Sequence, residues 1–212
     1  MSKLLYYLLT FAEAGLAIFG ISSVYEQPRY DTIERLSGDI EIRRYGSRVA
    51  AEATVEAADD RAASSAAFSL LFRYITGSNR SGSTIARNAP VERATGAVMI
   101  AMTAPVEMAS TSPGQVTMRF FLPHSVVASG APEPLDKRVR VVTVSSATLA
   151  VFRFSGQLDE AACAAGQKAL LARLARSRWL VAGRPSVLAY DPPFTISFLR
   201  RNEVAVEVVP RS

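Results

Sequence analysis

Short segments in which apolar and polar residues alternate constrain the fold of this chain more than any other feature. In residues 40–45, Ile40 and Ile42 fall on one face of an extended segment, and Glu41 and Arg43 fall on the other. Alternation of this kind is typical of a β-strand with one buried face. The pattern, or a short apolar run, predicts strands at residues 30–35, 40–45, 49–56, 97–106, 116–122, 139–144, 147–154, 187–190, 195–200 and 203–209.

Two stretches show helical spacing instead. In the first, apolar residues recur every three or four positions up to Tyr74, and Asp59 stands where a helix N-cap is expected. Gly77 offers a C-terminal stop for this helix. The second stretch covers residues 158–180. The sequence therefore predicts two long helices among the strands.

The order strand-strand-helix-strand-strand occurs twice, and the proline-rich residues 132–134 lie between the two halves. A sheet with one apolar face must bury that face against another layer. We therefore predict an α+β fold in which two antiparallel sheet halves each carry one helix. Residue-level similarity between the halves is weak, so the repeat is one of topology.

Composition excludes several classes of function. The chain has 212 residues, a net charge of +5, one cysteine and one histidine. It therefore has no intramolecular disulfide, no cysteine-cluster zinc site and no His-rich metal site. Its arginines are scattered rather than clustered, so we predict no nucleic-acid partner. The motifs of serine hydrolases, zinc proteases and phosphate-binding loops do not occur. We predict no catalytic and no metal-binding residues, although a hydrolase is kept as an alternative.

The first segment differs from the rest of the chain. Residues 4–24 are almost wholly apolar, with Lys3 ahead of them and only Glu13 inside. The length permits a membrane span of ~20 residues, and the composition also fits a secretory signal. We therefore divide the chain into an N-terminal hydrophobic segment, 1–25, and a folded domain, 26–212. We predict export or membrane attachment; a cytoplasmic protein with an accessory helix is the alternative.

Residues 99–106, Met-Ile-Ala-Met-Thr-Ala-Pro-Val, read as a buried strand that stops where proline removes a hydrogen-bond donor. This run resembles the signature of the SOUL/haem-binding protein family. Residues 40–45, 72–79, 190–193 and 200–204 resemble other family segments in the same order, so the resemblance spans roughly residues 26 to 210. It implies a distorted antiparallel β-barrel with two flanking α-helices and an approximate twofold repeat. It also implies non-enzymatic, non-covalent binding of haem or a related tetrapyrrole.

The resemblance places the tetrapyrrole pocket at the first helix and at the loop after the paired prolines. Aromatic walls suit a flat macrocycle, and an arginine can pair with a propionate. Core packing explains the aromatic residues equally well. The matching residues of this chain are Phe68, Phe72, Arg73, Tyr74 and Phe194.

Arg44 is a further candidate ligand-binding residue. It shares strand parity with Ile40 and Ile42, so it meets an anion at a pocket mouth or extends to water at the strand end. Family members that use an axial histidine carry it at this position, so the resemblance does not imply a histidine bond to iron here. His124 is expected in an exposed loop, and Met99 is expected to fill space in the core. A binding barrel for another amphipathic small molecule is the alternative function.

Overall fold

The computed structural model describes residues 25–37, 39–81, 96–192 and 195–211. The chain divides into two compact units. The central unit is Ser47–Ser145, and the terminal unit combines the described residues of Met1–Gly46 and Ser146–Ser212. The elements in chain order are β1 (Tyr30–Ser37), β2 (Ile40–Tyr45), β3 (Arg48–Glu56), α1 (Asp60–Ile75), β4 (Asn79–Arg80), β5 (Val106–Ser112), β6 (Gln115–Phe121), α2 (His124–Ala128), β7 (Glu133–Pro134), β8 (Val139–Val144), β9 (Ala147–Phe154), α3 (Glu160–Leu174), β10 (Trp179–Val181), β11 (Ser186–Ala189), a 3-10 helix (Ser197–Leu199) and β12 (Asn202–Pro210).

The central unit is an antiparallel sheet with the strand order β5-β6-β3-β8, covered on one face by α1. Asp59 caps α1, because its side chain accepts a hydrogen bond of 2.7 Å from the Ala62 amide. The alternation in β3 places small residues under the helix, so α1 packs closely on the sheet. The buried core contains Ala51, Ala53, Ala67, Leu70, Leu71, Tyr74, Ile75, Ile100, Met118, Phe120, Leu122 and Val139.

The terminal unit is an antiparallel sheet with the strand order β1-β2-β9-β12-β11, and β10 also pairs with β12. Helix α3 packs on β9 and β12. The close approach depends on Gly166, since a Cβ there would lie 3.2 Å from Val204 Cγ2 and 3.3 Å from Phe152 Cδ1. The buried core contains Ile40, Ile42, Ala150, Leu170, Leu174, Trp179, Val204, Val206 and Val208.

The α+β class, the antiparallel pairing and the two long helices are confirmed. The spatial units do not coincide with the two sequence repeats. Strands β2 and β3 follow each other in the chain but belong to different units, and so do β8 and β9. Each unit therefore combines strands from both repeats. In the terminal unit β2 of the first repeat pairs with β9 of the second, and in the central unit β3 of the first repeat pairs with β8 of the second.

Two of the predicted strands are wrong, and the second long helix is shorter than predicted. Residues 97–106 are mostly irregular, and the strand in this region begins only at Val106. Residues 195–200 contain a 3-10 turn rather than a strand. The second long helix ends at Leu174, and part of its predicted C-terminal extension is strand β10.

The predictions for residues 4–24 lie outside the described residues. Among the helices that the structure describes, none has the length and hydropathy needed to cross a membrane.

Candidate ligand-binding site

Two phenylalanines form an exposed aromatic surface on α1. Phe68 and Phe72 lie one helical turn apart, and their rings stack with centroids 5.9 Å apart and an interplanar angle of 12°. They are 39% and 45% exposed. Phe68 also meets the buried Phe120 ring edge-on at 5.4 Å, which fixes the pair to the core. The structure therefore presents a partly exposed aromatic surface on α1.

Arg73 follows Phe72 directly in the last turn of α1 and is exposed. Its charge already acts on one neighbour. Hydrogen bonds from Arg138 hold the pKa of Asp136 at about 2, and Arg73 adds a smaller attraction. A cation thus follows the aromatic pair in the same turn of α1, about 100° around the helix axis from Phe72.

Tyr74 does not belong to this surface. Its side chain is buried in the central core, and its hydroxyl donates a hydrogen bond of 2.9 Å to the Pro132 carbonyl oxygen. Burial raises the pKa of Tyr74 to about 12. The predicted role of Tyr74 as a ligand contact is replaced by one in packing, because its face of α1 points at the sheet.

Arg44 is exposed on β2, which is compatible with both predictions for it, an anion contact or an extension to water. Its neighbour Arg43 is the buried arginine. The Arg43 guanidinium donates to both carboxylate oxygens of Glu203, with Nη1–Oε2 at 2.8 Å and Nη2–Oε1 at 3.2 Å. Its Nε donates to Glu41 at 2.8 Å. Burial alone would lower the pKa of Arg43, but the bonds to Glu203 raise it.

Two more side chains complete the environment of Glu203. Arg201 donates to Oε1 from Nε at 2.9 Å and from Nη2 at 2.7 Å, and the Tyr190 hydroxyl donates to Oε2 at 2.9 Å. Burial raises the pKa of Tyr190 strongly, and the negative Glu203 adds to the effect. The hydroxyl therefore stays protonated and remains a donor. We call Arg43, Glu203, Arg201 and Tyr190 the buried ion network.

The central unit carries a more open counterpart. Glu52 on β3 accepts from Arg119 at 2.8 Å and from Arg140 at 3.1 Å. Both networks lie on the sheet face opposite the helix, since their strand neighbours Ile42 and Ala51 pack under α3 and α1. Our sequence analysis missed both networks. The signal in the sequence was the presence of acidic and basic residues inside strands whose other residues are mostly apolar.

The other candidates are dispersed. His124 is exposed at the start of α2, and Met99 is exposed rather than filling the core. Phe194 lies outside the described residues. In the described parts of the chain, no group of His, Cys, Asp or Glu side chains is arranged to hold a metal ion.

Comparison with known proteins defines the class. The family model described as SOUL heme-binding protein matches residues 25–207, and the chain belongs to this family of haem-binding proteins. No curated protein matches the chain in sequence.

Solved structures share the fold at very low identity. The EcmrR C-terminal domain is 8% identical with a TM-score of 0.58, over 85% of this chain and 98% of that one. An uncharacterized conserved protein from Listeria innocua is 8% identical with a TM-score of 0.50, over 81% and 92% of the two chains. At such identities the similarity establishes the fold alone.

Proposed function

We propose that this protein binds haem or a related tetrapyrrole non-covalently against the exposed Phe68–Phe72 pair. The observation that carries the proposal is the stacked, solvent-facing pair on α1 of a chain in a haem-binding family. Contiguous exposed apolar surface is a common mark of a ligand or partner site. A planar macrocycle can stack on such a face, at ~0.5–1.5 kcal/mol beyond burial for each ring pair.

Arg73 supplies the polar half of the proposed contact. Haem, when bound, brings a redox-active iron and two carboxylates. A charge-assisted hydrogen bond to a carboxylate contributes ~1.5–3 kcal/mol. Arg44 belongs to the terminal unit and is a separate candidate for an anion contact, because it is exposed at the position where the family resemblance points to the ligand.

The proposed complex has no bond from a histidine to iron. Position 44 is an arginine, whose guanidinium has hydrogen-bond donors only and no acceptor to offer to a metal. His124 is the one histidine of the chain. We expect the absorption spectrum of the haemin complex to be the same in the wild type and in His124→Ala.

A haemin titration read at the Soret band tests the proposal. Phe72→Ala and Arg73→Ala should each weaken binding about tenfold, since ~1.4 kcal/mol corresponds to a factor of ten. Arg44→Ala tests the separate candidate on the terminal unit in the same titration. Leu171→Ala is the matched control, because it removes an exposed apolar side chain from the other long helix. Unchanged affinity in Phe72→Ala, or an equal loss in the control, would refute the aromatic site.

The alternative ligand is another amphipathic molecule with an anionic group, held on the same surface. The absence of a histidine at position 44 favours keeping this alternative. Iron-free protoporphyrin tests the contribution of the iron: equal affinity for the porphyrin and for haemin would show that the iron contributes nothing to binding. A long-chain fatty acid that displaces neither of them would count against the alternative.

The hydrolase alternative has less support. Burial raises the pKa of the Cys163 thiol, which disfavours the reactive thiolate. A hydrolase from Listeria innocua is 9% identical over 81% of this chain and 92% of that one, with a TM-score of 0.46, too low for any argument about activity.

A further inference from the structure

One end of the terminal unit combines exposed aliphatic side chains with positive charge. It is formed by the last turn of α3, by β10 and by the last residues of β12. A shallow apolar groove of about 170 Å³ lies there, floored by Leu174 and Trp179 and bordered by Arg211. We call this region the basic apolar end; its exposed apolar residues, all 40–45% exposed, are Leu171, Leu180, Val181 and Val209.

The aliphatic side chains sit on ordered backbone. Leu180 pairs with Val209 across the β10–β12 ladder. The neighbouring Trp179 is buried, and its indole Nε1 donates to Glu34 Oε2 at 2.9 Å. The backbone amide of Arg211 donates to the Arg178 carbonyl at 2.6 Å. The exposed apolar surface is therefore a fixed part of the fold.

The charge of this region is mostly positive. Residues 168–184 contain five cationic side chains and no acidic one, and Arg211 adds a further cation. The acidic neighbours are Glu34, whose Oε2 accepts from Arg178 Nε at 3.0 Å, and the exposed Glu207 near Gly183. Arg211 borders the apolar groove, and Arg176 is exposed in the turn after α3. An occupant of this surface must therefore be apolar and anionic together.

We propose that the basic apolar end docks on the surface of a bilayer that contains anionic lipids. Interfacial binding scales with the apolar area inserted and with the attraction of Lys and Arg to anionic headgroups. A bilayer fits better than a protein partner, because its surface supplies anionic headgroups and apolar acyl chains together, which match the net positive charge and the exposed aliphatic side chains. The proposal is independent of haem binding, which we assign to α1 of the central unit.

Vesicle co-sedimentation of the full-length protein tests the proposal. Two partition coefficients are measured, one for vesicles of phosphatidylcholine mixed with phosphatidylglycerol and one for vesicles of phosphatidylcholine alone. The quantity compared is the first divided by the second. This ratio isolates the anionic contribution from any insertion by residues 4–24. Each arginine near an anionic surface contributes ~1 kcal/mol, which corresponds to about a fivefold change in partitioning. The double variant Arg176→Glu/Arg211→Glu should therefore reduce the ratio at least ~25-fold. High salt should reduce the wild-type ratio as well.

The control variant is Arg61→Glu/Lys137→Glu, which makes the same change in net charge at exposed positions of the central unit. It should keep a ratio close to that of the wild type. Leu171→Ser/Val181→Ser should weaken binding to the mixed vesicles several-fold, because it removes apolar contact.

Three results would overturn the proposal. The first is a wild-type ratio near one, and the second is an equal loss in the test and control pairs. The third is a stable dimer that Leu180→Asp converts to monomers while the vesicle ratio stays unchanged. That result would make the same surface an interface between two copies of the chain.

Discussion

Glu203→Gln should destabilise the terminal unit far more than the equivalent change at Glu52 destabilises the central unit. The Glu203 side chain is fully buried, and Arg43 is only 4% exposed. Five donor contacts converge on the two Glu203 oxygens. Glutamine keeps the shape, but it removes the negative charge and turns an NH₂ group towards donors. Arg43 then remains buried with Glu41 as its remaining ion-pair partner, and the half-buried Arg201 loses its ion pair with Glu203.

The expected magnitudes follow from the difference in exposure. Breaking a buried ion pair from one side costs ~3–5 kcal/mol. The Glu52 network is more open, since Arg119 and Arg140 are 29% and 68% exposed. Glu52→Gln should therefore cost only ~1 kcal/mol. With a urea m-value of ~2 kcal/mol/M, the midpoint should fall by ~1.5–2.5 M for Glu203→Gln and by ~0.5 M for Glu52→Gln.

Urea unfolding followed by far-ultraviolet circular dichroism measures both variants. The fluorescence of Trp179, the one tryptophan of the chain, adds a local signal in the terminal unit. Equal shifts in the two variants would refute the reasoning, because burial would then have no influence on the cost. A higher midpoint for Glu203→Gln would show that the buried ion network opposes folding.

Three further changes test other parts of the structure. Burial raises the pKa of Tyr74 to about 12, so its contribution to stability is complete below the ordinary tyrosine pKa of about 10 and is lost as pH rises through 12. Tyr74→Phe should therefore flatten the fall in thermal stability at alkaline pH. An unchanged pH profile in this variant would contradict the prediction. Gly166→Ala should lower the free energy of unfolding by ~1–3 kcal/mol in a denaturant titration, because the added Cβ would press on Val204 and Phe152. A gain in stability would show that α3 can move away from the sheet. Deleting residues 4–24 should leave the thermal transition unchanged but move the protein from the membrane or exported fraction to the soluble fraction. If the truncated chain aggregates and the full-length chain is cytosolic, the segment is instead an integral part of the domain.

Local sequence patterns predicted most individual elements but not their partners. The alternation in residues 40–45 and the cap at Asp59 each depend on a few neighbouring residues, and both are found as predicted. The pairing of β2 with β9 joins residues about a hundred positions apart, which no local pattern specifies. Residues 97–106 misled the prediction because Ile100 is buried while its amide bonds to the carbonyl of Ile75, at the end of α1, rather than to a strand.

The candidate site was predicted in part for the same reason. Helical spacing placed Phe68 and Phe72 within one turn of each other, and the structure stacks them. Strand parity separated Arg43 from Arg44, but parity alone does not say which face becomes covered. That depends on Glu203 arriving from the other end of the chain.

The interleaved strands also set an order of events during synthesis. The central unit is one continuous stretch, Ser47–Ser145, so all its parts leave the ribosome before β9 and β12 do. In the terminal unit, β2 is synthesised about a hundred residues before its partner β9, and β12 follows later still. Contacts of such high sequence separation slow folding and leave strand edges open in the meantime. Until β9 emerges, β2 lacks this partner, and its charged residues Arg43 and Glu41 make it a poor template for aggregation.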